Sequence, residues 1–221
     1  MRRRNIEDLK PPDWFPTIDR VERYFSPGMR YPYYKVQLAK YIASLLPLGQ
    51  PLKIADIGCG DARLAGFIQR HRCQTRLVGF ETLARPTRDS AVEFILFDGT
   101  TLPCADDSFD ISLLCDVVHH ARDQERLLSE AARISRTGII IKDHVFRSSV
   151  ERYQLLILDI LGNRRFGVEV IGRYLDLQGW QTLLSPTALH VDCFPSVPLR
   201  KGILGLVFGN ELEVLFLLTR K

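Results

Sequence analysis

Two glycines in the first third of the chain are spaced to turn the backbone beside a bound ligand. Gly58 and Gly60 follow the apolar run Leu52–Ile57, and apolar residues then recur at helical spacing over residues 64–68. Glycine lets the backbone turn sharply and lets a ligand approach without a Cβ in its way. Asp61 occupies the position of an N-cap, where its carboxylate would accept from the first N–H groups of the helix. The sequence therefore predicts a strand, a tight turn and a helix, with a ligand at the turn.

The residues around this turn exclude two common phosphate-binding motifs. A dinucleotide fingerprint requires Gly-x-Gly-x-x-Gly, and Arg63 occupies the position of the third glycine. A phosphate-binding loop requires Gly-Lys-Ser or Gly-Lys-Thr, and neither tripeptide occurs in the chain. What remains is an acidic residue, Asp56, that leads into two glycines. A plain strand-to-helix connection without a ligand is the alternative at this stage.

Acidic residues also end the later apolar segments. Glu81 ends the segment after the first helix, about 20 residues beyond the glycine turn, where nucleoside-binding units place an acid for the ribose hydroxyls. A carboxylate can accept from both hydroxyls of a cis-diol. Asp98 and Asp116 end the next two segments, and Asp143 with His144 ends the fifth. The alternative for Glu81 is a surface glutamate at a strand end.

Apolar periodicity places the elements that carry these residues. Strands are predicted over residues 52–57, 76–81, 93–99, 109–116 and 137–144, and helices over 18–25, 35–46, 64 onward and 123–135. Residues 1–12 are expected to form a frayed polar arm, and Ser26-Pro27-Gly28 to end the first helix. Strands that alternate with helices predict a parallel sheet with helices on both faces and a ligand outside the carboxyl ends of its strands.

Two histidines follow the fourth predicted strand at the same edge. Imidazole titrates near neutrality, so His119 or His120 is a candidate general base, and a packing role is the alternative for each. Asp143 and His144 are further candidate catalytic residues, through contact with the substrate. Cys115 with the two histidines lacks a fourth ligand at a recognisable spacing, so no metal site is predicted.

Composition indicates an ordinary globular chain. It has 221 residues, 46% of them hydrophobic and 25% charged, with a net charge of +4. This charge gives no argument for a nucleic-acid partner, and the basic start Met1–Arg4 is typical of a solvated tail. A single domain is expected over residues 1–221.

The cysteines and the hydropathy of the chain indicate the cellular compartment that we expect for this protein. The five cysteines include no Cys-x-x-Cys pair, which favours a reduced, cytoplasmic setting, and no signal peptide is expected. The apolar run Gly202–Leu218 is interrupted by Asn210, Glu211 and Glu213, so buried strands are predicted there and a transmembrane segment is not.

Residues 52–145 resemble the class I S-adenosylmethionine-dependent methyltransferases of the type 11 group. The stretches that carry the resemblance are Asp56-Ile57-Gly58-Cys59-Gly60, Glu81, Asp98-Gly99, Leu102-Pro103, Asp107-Ser108-Phe109-Asp110 and Val117-Val118-His119-His120. The resemblance implies a Rossmann-like, doubly wound and mostly parallel seven-stranded sheet with helices on both faces. It also implies a C-terminal antiparallel hairpin, for which residues 187–194 and 212–218 are the candidates.

The same resemblance implies S-adenosylmethionine as cofactor and assigns its contacts. Gly58 and Gly60 would line the methionine portion, Glu81 would hold the ribose hydroxyls, and Asp98 would accept from the adenine amino group. The full implied cofactor set is Asp56, Gly58, Cys59, Gly60, Glu81, Thr82, Asp98, Gly99, Cys115 and Asp116. In two respects the sequence departs from the family: Ala62 stands where many members have another glycine, and residues 82–92 give no clear helix.

The acceptor is expected to be a small, partly hydrophobic molecule bound beneath a lid over residues 145–181. Tyr153, Leu156, Ile157 and Ile160 form an apolar stripe, and Gly162–Gly167 then breaks the helix. A core helix followed by a long loop is the alternative.

Candidate acceptor contacts are Asn163 and Tyr174 in the lid and Tyr34 in the N-terminal segment 1–46. Two roles are open for Arg30–Tyr34: it covers the ligand, or it packs the N-terminal arm onto the core. The closing strands occupy residues 186–221. An RNA or protein methyltransferase and a non-catalytic binding domain stay open as other functions.

Overall fold

The fold is built on one mixed sheet. The computed structural model describes residues 1–26, 32–163, 167–202, 205 and 209–220. Its strands are β1 (Arg2–Arg3), β2 (Leu52–Ile57), β3 (Thr75–Glu81), β4 (Glu93–Leu96), β5 (Phe109–Cys115), β6 (Ser135–His144), β7 (His190–Pro195) and β8 (Glu213–Thr219). Their order is β1-β7-β8-β6-β5-β2-β3-β4, and β8 is antiparallel to both of its neighbours. The predicted parallel sheet with a C-terminal antiparallel hairpin is therefore confirmed.

The eighth strand was not expected. Arg2–Arg3 pairs in parallel with β7, and the Arg4 N–H donates to the Cys193 carbonyl at 2.8 Å. The Arg4 guanidinium also lies 3.3 Å from the Asp192 carboxylate. The prediction of a frayed arm was wrong for these residues, because the edge of β7 offers backbone partners that a local sequence pattern does not reveal.

The helices cover both faces of the sheet. They are α1 (Ile18–Phe25), α2 (Pro32–Leu45), α3 (Arg63–His71), α4 (Gln124–Ile134), α5 (Ser149–Asn163) and α6 (Leu177–Leu184). In β2, Ile54 packs into the core beneath α1 to α3, and Ala55 and Ile57 pack into the opposite core beneath α4 and α6. Successive side chains of a strand point to opposite faces, so a strand buried on both sides is apolar throughout.

Strand register brings the predicted site residues to one edge. Ile57 pairs with Phe80 on one side and with Leu114 on the other, and Cys115 pairs with Lys142. The residues that follow these positions therefore leave the sheet together, at the carboxyl ends of β2, β3, β5 and β6.

Some predicted features lie outside the described residues: the break at Pro27–Gly28, the Arg30–Tyr31 part of the aromatic segment, Arg164–Phe166 in the break after α5, and most of residues 203–208. In the described part of the chain, no helix has the length and hydrophobicity needed to cross a membrane.

Candidate active site

The turn after β2 adopts the left-handed backbone conformation that glycine favours. Gly58 has φ 72° and Gly60 has φ 58°. A Cβ at Gly58 would lie 2.5 Å from a methyl carbon of Val117, whereas a Cβ at Gly60 would meet nothing within 4 Å. Gly58 is therefore required for close packing against the segment after β5, and Gly60 faces open space where a ligand can approach.

The start of α3 differs by one residue from the prediction. Ala62 is the N-cap, with φ 55° and no capping side chain, and the Asp61 carboxylate accepts from the Arg63 N–H at 3.2 Å. The left-handed φ explains why glycine suits this position in the family that the sequence resembles. Ala62 is fully buried and keeps this conformation at the cost of backbone strain.

Glu81 joins the end of β3 to the glycine turn. Its carboxylate accepts from the Gly60 N–H at 2.9 Å and from the Thr82 N–H at 2.8 Å, and Arg85 lies 3.3 Å away. Only 6% of the residue is exposed, so the alternative of a surface glutamate is wrong. Glu81 is positioned by backbone donors, which fixes a charged acceptor beside Gly60.

Asp98 is the corresponding acid after β4. Its Oδ1 accepts from the N–H groups of Thr101 at 2.7 Å and Thr100 at 2.8 Å, and these bonds lower the pKa of the carboxyl. Gly99 follows with φ 82°, and a Cβ there would lie 3.2 Å from a Thr82 methyl carbon. The ends of β3 and β4 are therefore close together, and both present oriented acceptors.

The cysteines of the predicted cofactor set are neutral thiols. Burial is the main cause that raises the pKa of both Cys59 and Cys115. The Cys59 sulfur packs against β3, since a Cβ at Gly79 would lie 2.6 Å from it. Both side chains can line a pocket, but neither is a thiolate nucleophile at neutral pH.

Asp56 is a buried carboxyl whose ionisation is sensitive to a nearby cation. Burial raises the pKa of Asp56 to about 7, against the opposing charge of Lys35. The resemblance places the ammonium group of the cofactor near this residue. A cation there favours the carboxylate and so releases a proton when it binds.

We therefore expect the affinity for S-adenosylhomocysteine to rise between about pH 6 and pH 8, because protonated Asp56 must lose its proton before it attracts the ligand ammonium. Isothermal titration calorimetry across this range measures the effect. Asp56→Asn is the control and should bind more weakly with a smaller pH dependence. An affinity that is independent of pH in the parent protein would contradict this role of Asp56.

A buried ion-pair network lies at the ends of β5, β6 and β8. Lys142 is 0% exposed, and its ammonium contacts Asp116 and lies 2.5 Å from Glu213. The Tyr34 hydroxyl donates to Asp116 at 2.6 Å, and Arg200 pairs with Glu213. Although burial acts in the opposite direction, Lys142 lowers the pKa values of Asp116 and Glu213, so both acids are ionised.

A second network contains the predicted catalytic residues. Asp143 accepts from the Val118 N–H at 2.9 Å and from the His144 N–H at 2.7 Å, and His119 Nδ1 lies 2.6 Å from Asp143 Oδ1. Burial opposes protonation of His119, but Asp143 and Asp159 raise its pKa to about 10. His120 differs, because burial and then the neighbouring His119 lower its pKa. Of the two, His120 is the imidazole suited to accept a proton at neutral pH.

Asp159 of α5 is a central residue of this network that the sequence analysis missed. The Tyr174 hydroxyl donates to it at 2.7 Å, the Asn163 amide also donates, and His120 Nε2 lies 3.4 Å away. The only available signal was a charged residue between apolar neighbours of a predicted helix. Asn163 and Tyr174 are thus brought to the histidines through Asp159.

The predicted site residues therefore form two neighbouring groups and a separate cofactor edge. Tyr34 belongs with Asp116 in the first network, and His144 connects the networks, since its ring centroid lies 5.0 Å from that of His119 and its Nε2 lies 3.9 Å from Asp116. Glu81, Thr82, Asp98 and Gly99 lie at the ends of β3 and β4. Sequence reasoning also missed Lys142, Arg200 and Glu213.

Comparison with known proteins gives consistent matches. Residues 55–141 match a family model described as a methyltransferase domain. Ajmaline N-methyltransferase of Rauvolfia serpentina is 25% identical over 158 residues, which cover 66% of this chain and 54% of that protein. The tRNA (carboxymethyluridine(34)-5-O)-methyltransferase alkbh8 of Xenopus tropicalis is 28% identical over 125 residues, which cover 55% of this chain and 19% of that protein.

A solved structure extends the likeness to nearly the whole chain. The S-adenosylmethionine-dependent methyltransferase of Thermotoga maritima has a TM-score of 0.60 at 21% identity, and the match covers 92% of this chain and 96% of that one. The chain spans about half the length, 54%, of the plant relative, and less of the amphibian one. The structural likeness shows a shared fold.

Proposed function

We propose that this chain, which carries a class I methyltransferase domain of the type 11 group, moves a methyl group from S-adenosylmethionine to a small, partly hydrophobic acceptor. Methyl transfer from a sulfonium is a displacement in which the cofactor supplies the electrophile. The protein contributes positioning of the two reactants and exclusion of water. The proposal therefore requires a cofactor edge and an acceptor wall that meet at the same end of the sheet.

The unit formed by Glu81 and the glycine turn carries the proposal. A buried carboxylate that accepts from the Gly60 N–H lies beside a backbone position open to a ligand. Asp98, oriented by two backbone N–H groups, follows the next strand. These acceptors suit the ribose hydroxyls and the adenine amino group, both of which are donors.

The acceptor wall lies beyond Asp116, where α5 covers the histidines. On α5 only Leu155 and Asp159 are buried, while Tyr153 is 68%, Ile157 50% and Ile160 44% exposed. The stripe predicted from the sequence is thus not a core face, which supports a lid over the alternative of a core helix. Of the predicted segment 145–181, we assign α5 and residues 167–175 to this lid, with Asn163 and Tyr174 as its polar groups toward the acceptor. Residues 177–181 belong to α6 and not to the lid, because Trp180 is buried against Phe216 in the sheet core.

An RNA acceptor is the second candidate, and the tRNA-modifying relative is the observation in its favour. The basic start of the chain gives no support to an RNA acceptor, and it is not the solvated tail that the sequence predicts. Arg2–Arg3 is part of the sheet, and Arg4 pairs with Asp192. Incubation with labelled cofactor and either total tRNA or a small-molecule extract distinguishes the two acceptors by which fraction receives label.

We expect S-adenosylmethionine and S-adenosylhomocysteine to bind, and NAD not to bind, because Arg63 occupies the position of the third fingerprint glycine. Calorimetry with each ligand measures this directly, and a shift in thermal unfolding temperature is the independent readout. The absence of both heat and thermal shift with either methionine-derived ligand would contradict the proposed function. Mass spectrometry of small molecules that copurify with the protein then addresses the acceptor.

A further inference from the structure

The imidazoles of His119 and His120 are each held at Nδ1 by an oxygen, so both present Nε2 to Asp159. His119 Nδ1 lies 2.6 Å from Asp143 Oδ1, and His120 Nδ1 lies 3.2 Å from the carbonyl oxygen of Glu169. An imidazole fixed at one nitrogen by an oxygen acceptor is the arrangement that orients a metal-ligating histidine.

The distances between these three side chains fit a shared ion. His119 Nε2 and His120 Nε2 lie 3.8 Å and 3.4 Å from the carboxylate oxygens of Asp159, and ligand atoms of all three residues lie within 4.8 Å of one another. Both separations exceed the usual N–H···O range of up to about 3.2 Å. Ligand atoms about 2.1 Å from a tetrahedral ion are about 3.4 Å apart.

The charge of the cluster also favours a bound cation. Asp143 and Asp159 are buried, and in the described part of the chain their ion-pair partners are imidazoles. The two carboxylates outnumber the single imidazolium of His119, and a divalent ion that takes the place of its Nε2 proton would balance both of them. The neighbouring group of Asp116, His144 and Glu213 is equally close-set, but the Lys142 ammonium already pairs with both of its acids. That second group therefore has no need of a metal.

We propose that His119 Nε2, His120 Nε2 and the Asp159 carboxylate bind one divalent first-row transition-metal ion, with Asp143 holding His119 in place. Two imidazoles favour zinc, iron, cobalt, nickel or copper over magnesium and calcium, which prefer oxygen ligands. Tyr174 and Asn163 both donate to Asp159 and so fix the third ligand. Cys115 is not part of this group.

Three protein ligands leave a coordination position open for water or for a ligand atom of another molecule. The cluster adjoins Asp116 through His144 and lies beneath α5, where the acceptor is proposed to bind. An acceptor oxygen or nitrogen is the ligand class that this open position would take. Metal binding itself does not depend on methyl transfer, so the two proposals are testable apart.

Cobalt(II) titration of the untagged, chelator-treated full chain tests the site. We expect one equivalent to bind, with the visible absorption of a four- or five-coordinate ion. His120→Gln and Asp159→Asn should each weaken binding by at least the ~10–100-fold that loss of a supporting residue costs. His144→Gln, in the neighbouring group, is the matched control and should retain binding. Thermal unfolding of every variant shows whether it is folded.

The outcomes are distinct. No saturable cobalt binding by the parent chain, or equal affinity in parent, His120→Gln and Asp159→Asn, overturns the proposal. Loss of binding in His144→Gln alone moves the metal to the other group and overturns it as well. S-adenosylhomocysteine calorimetry on the same preparation separates the two proposals. If S-adenosylhomocysteine gives heat and cobalt does not bind, only the metal site is rejected. If cobalt binds and S-adenosylhomocysteine gives no heat, only the proposed cofactor is rejected.

Discussion

Replacing Lys142 with methionine is expected to lower the free energy of unfolding by about 3–5 kcal/mol, the usual cost of removing one partner of a buried ion pair. Lys142 is fully buried between Asp116 and Glu213, and methionine matches its length without its charge. Both carboxylates would then be buried without that cation, although Arg200 still contacts Glu213. Urea unfolding at neutral pH, followed by circular dichroism, measures the loss.

A surface ion pair provides the control for this experiment. Arg76 is paired with Glu93 at 2.6 Å, and their side chains are 68% and 48% exposed. Arg76→Met should cost about 1 kcal/mol or less, because water screens an exposed pair. The double variant Lys142→Met with Glu213→Met removes opposite charges together and should be more stable than Lys142→Met alone. If Lys142→Met costs no more than Arg76→Met, the network is not a stabilising feature of the fold.

The sheet edge proposed to bind the cofactor was the part of the candidate site most accessible from sequence. Gly58, Glu81 and Asp98 are each close in sequence to the end of an apolar segment, and parallel strands bring such ends to one edge. Local pattern plus one rule of topology was therefore sufficient to place them together. The same local signal predicted β2, β3, β5 and β6 to within two residues of their observed bounds, but it missed β1, whose partner β7 is distant in sequence.

The side proposed to bind the acceptor depends on contacts between distant parts of the chain, which local patterns do not encode. Lys142 meets Glu213 only because β6 and β8 are neighbours in the sheet, and His144 pairs directly with Glu213 across the same two strands. Asp159 meets His119 through the path of α5 over the sheet edge. A charged residue inside an apolar strand or helix was the signal available, and it indicates that a partner exists without identifying it.

Glu81→Ala is expected to weaken S-adenosylhomocysteine binding by about 1–3 kcal/mol, the range for hydrogen bonds to a charged group. The carboxylate is proposed to hold the ribose hydroxyls and also accepts from the Gly60 N–H, so its removal affects both the ligand and the glycine turn. Glu81→Gln keeps one acceptor oxygen and separates these effects, since it should preserve more of the turn while losing the charge. Glu93→Ala removes an exposed acid at the start of β4 and should bind the ligand as the parent does. Calorimetry measures the affinity of the three variants for the ligand, and thermal unfolding confirms that each is folded. Parent-like affinity in folded Glu81→Ala would mean that other residues hold the ribose.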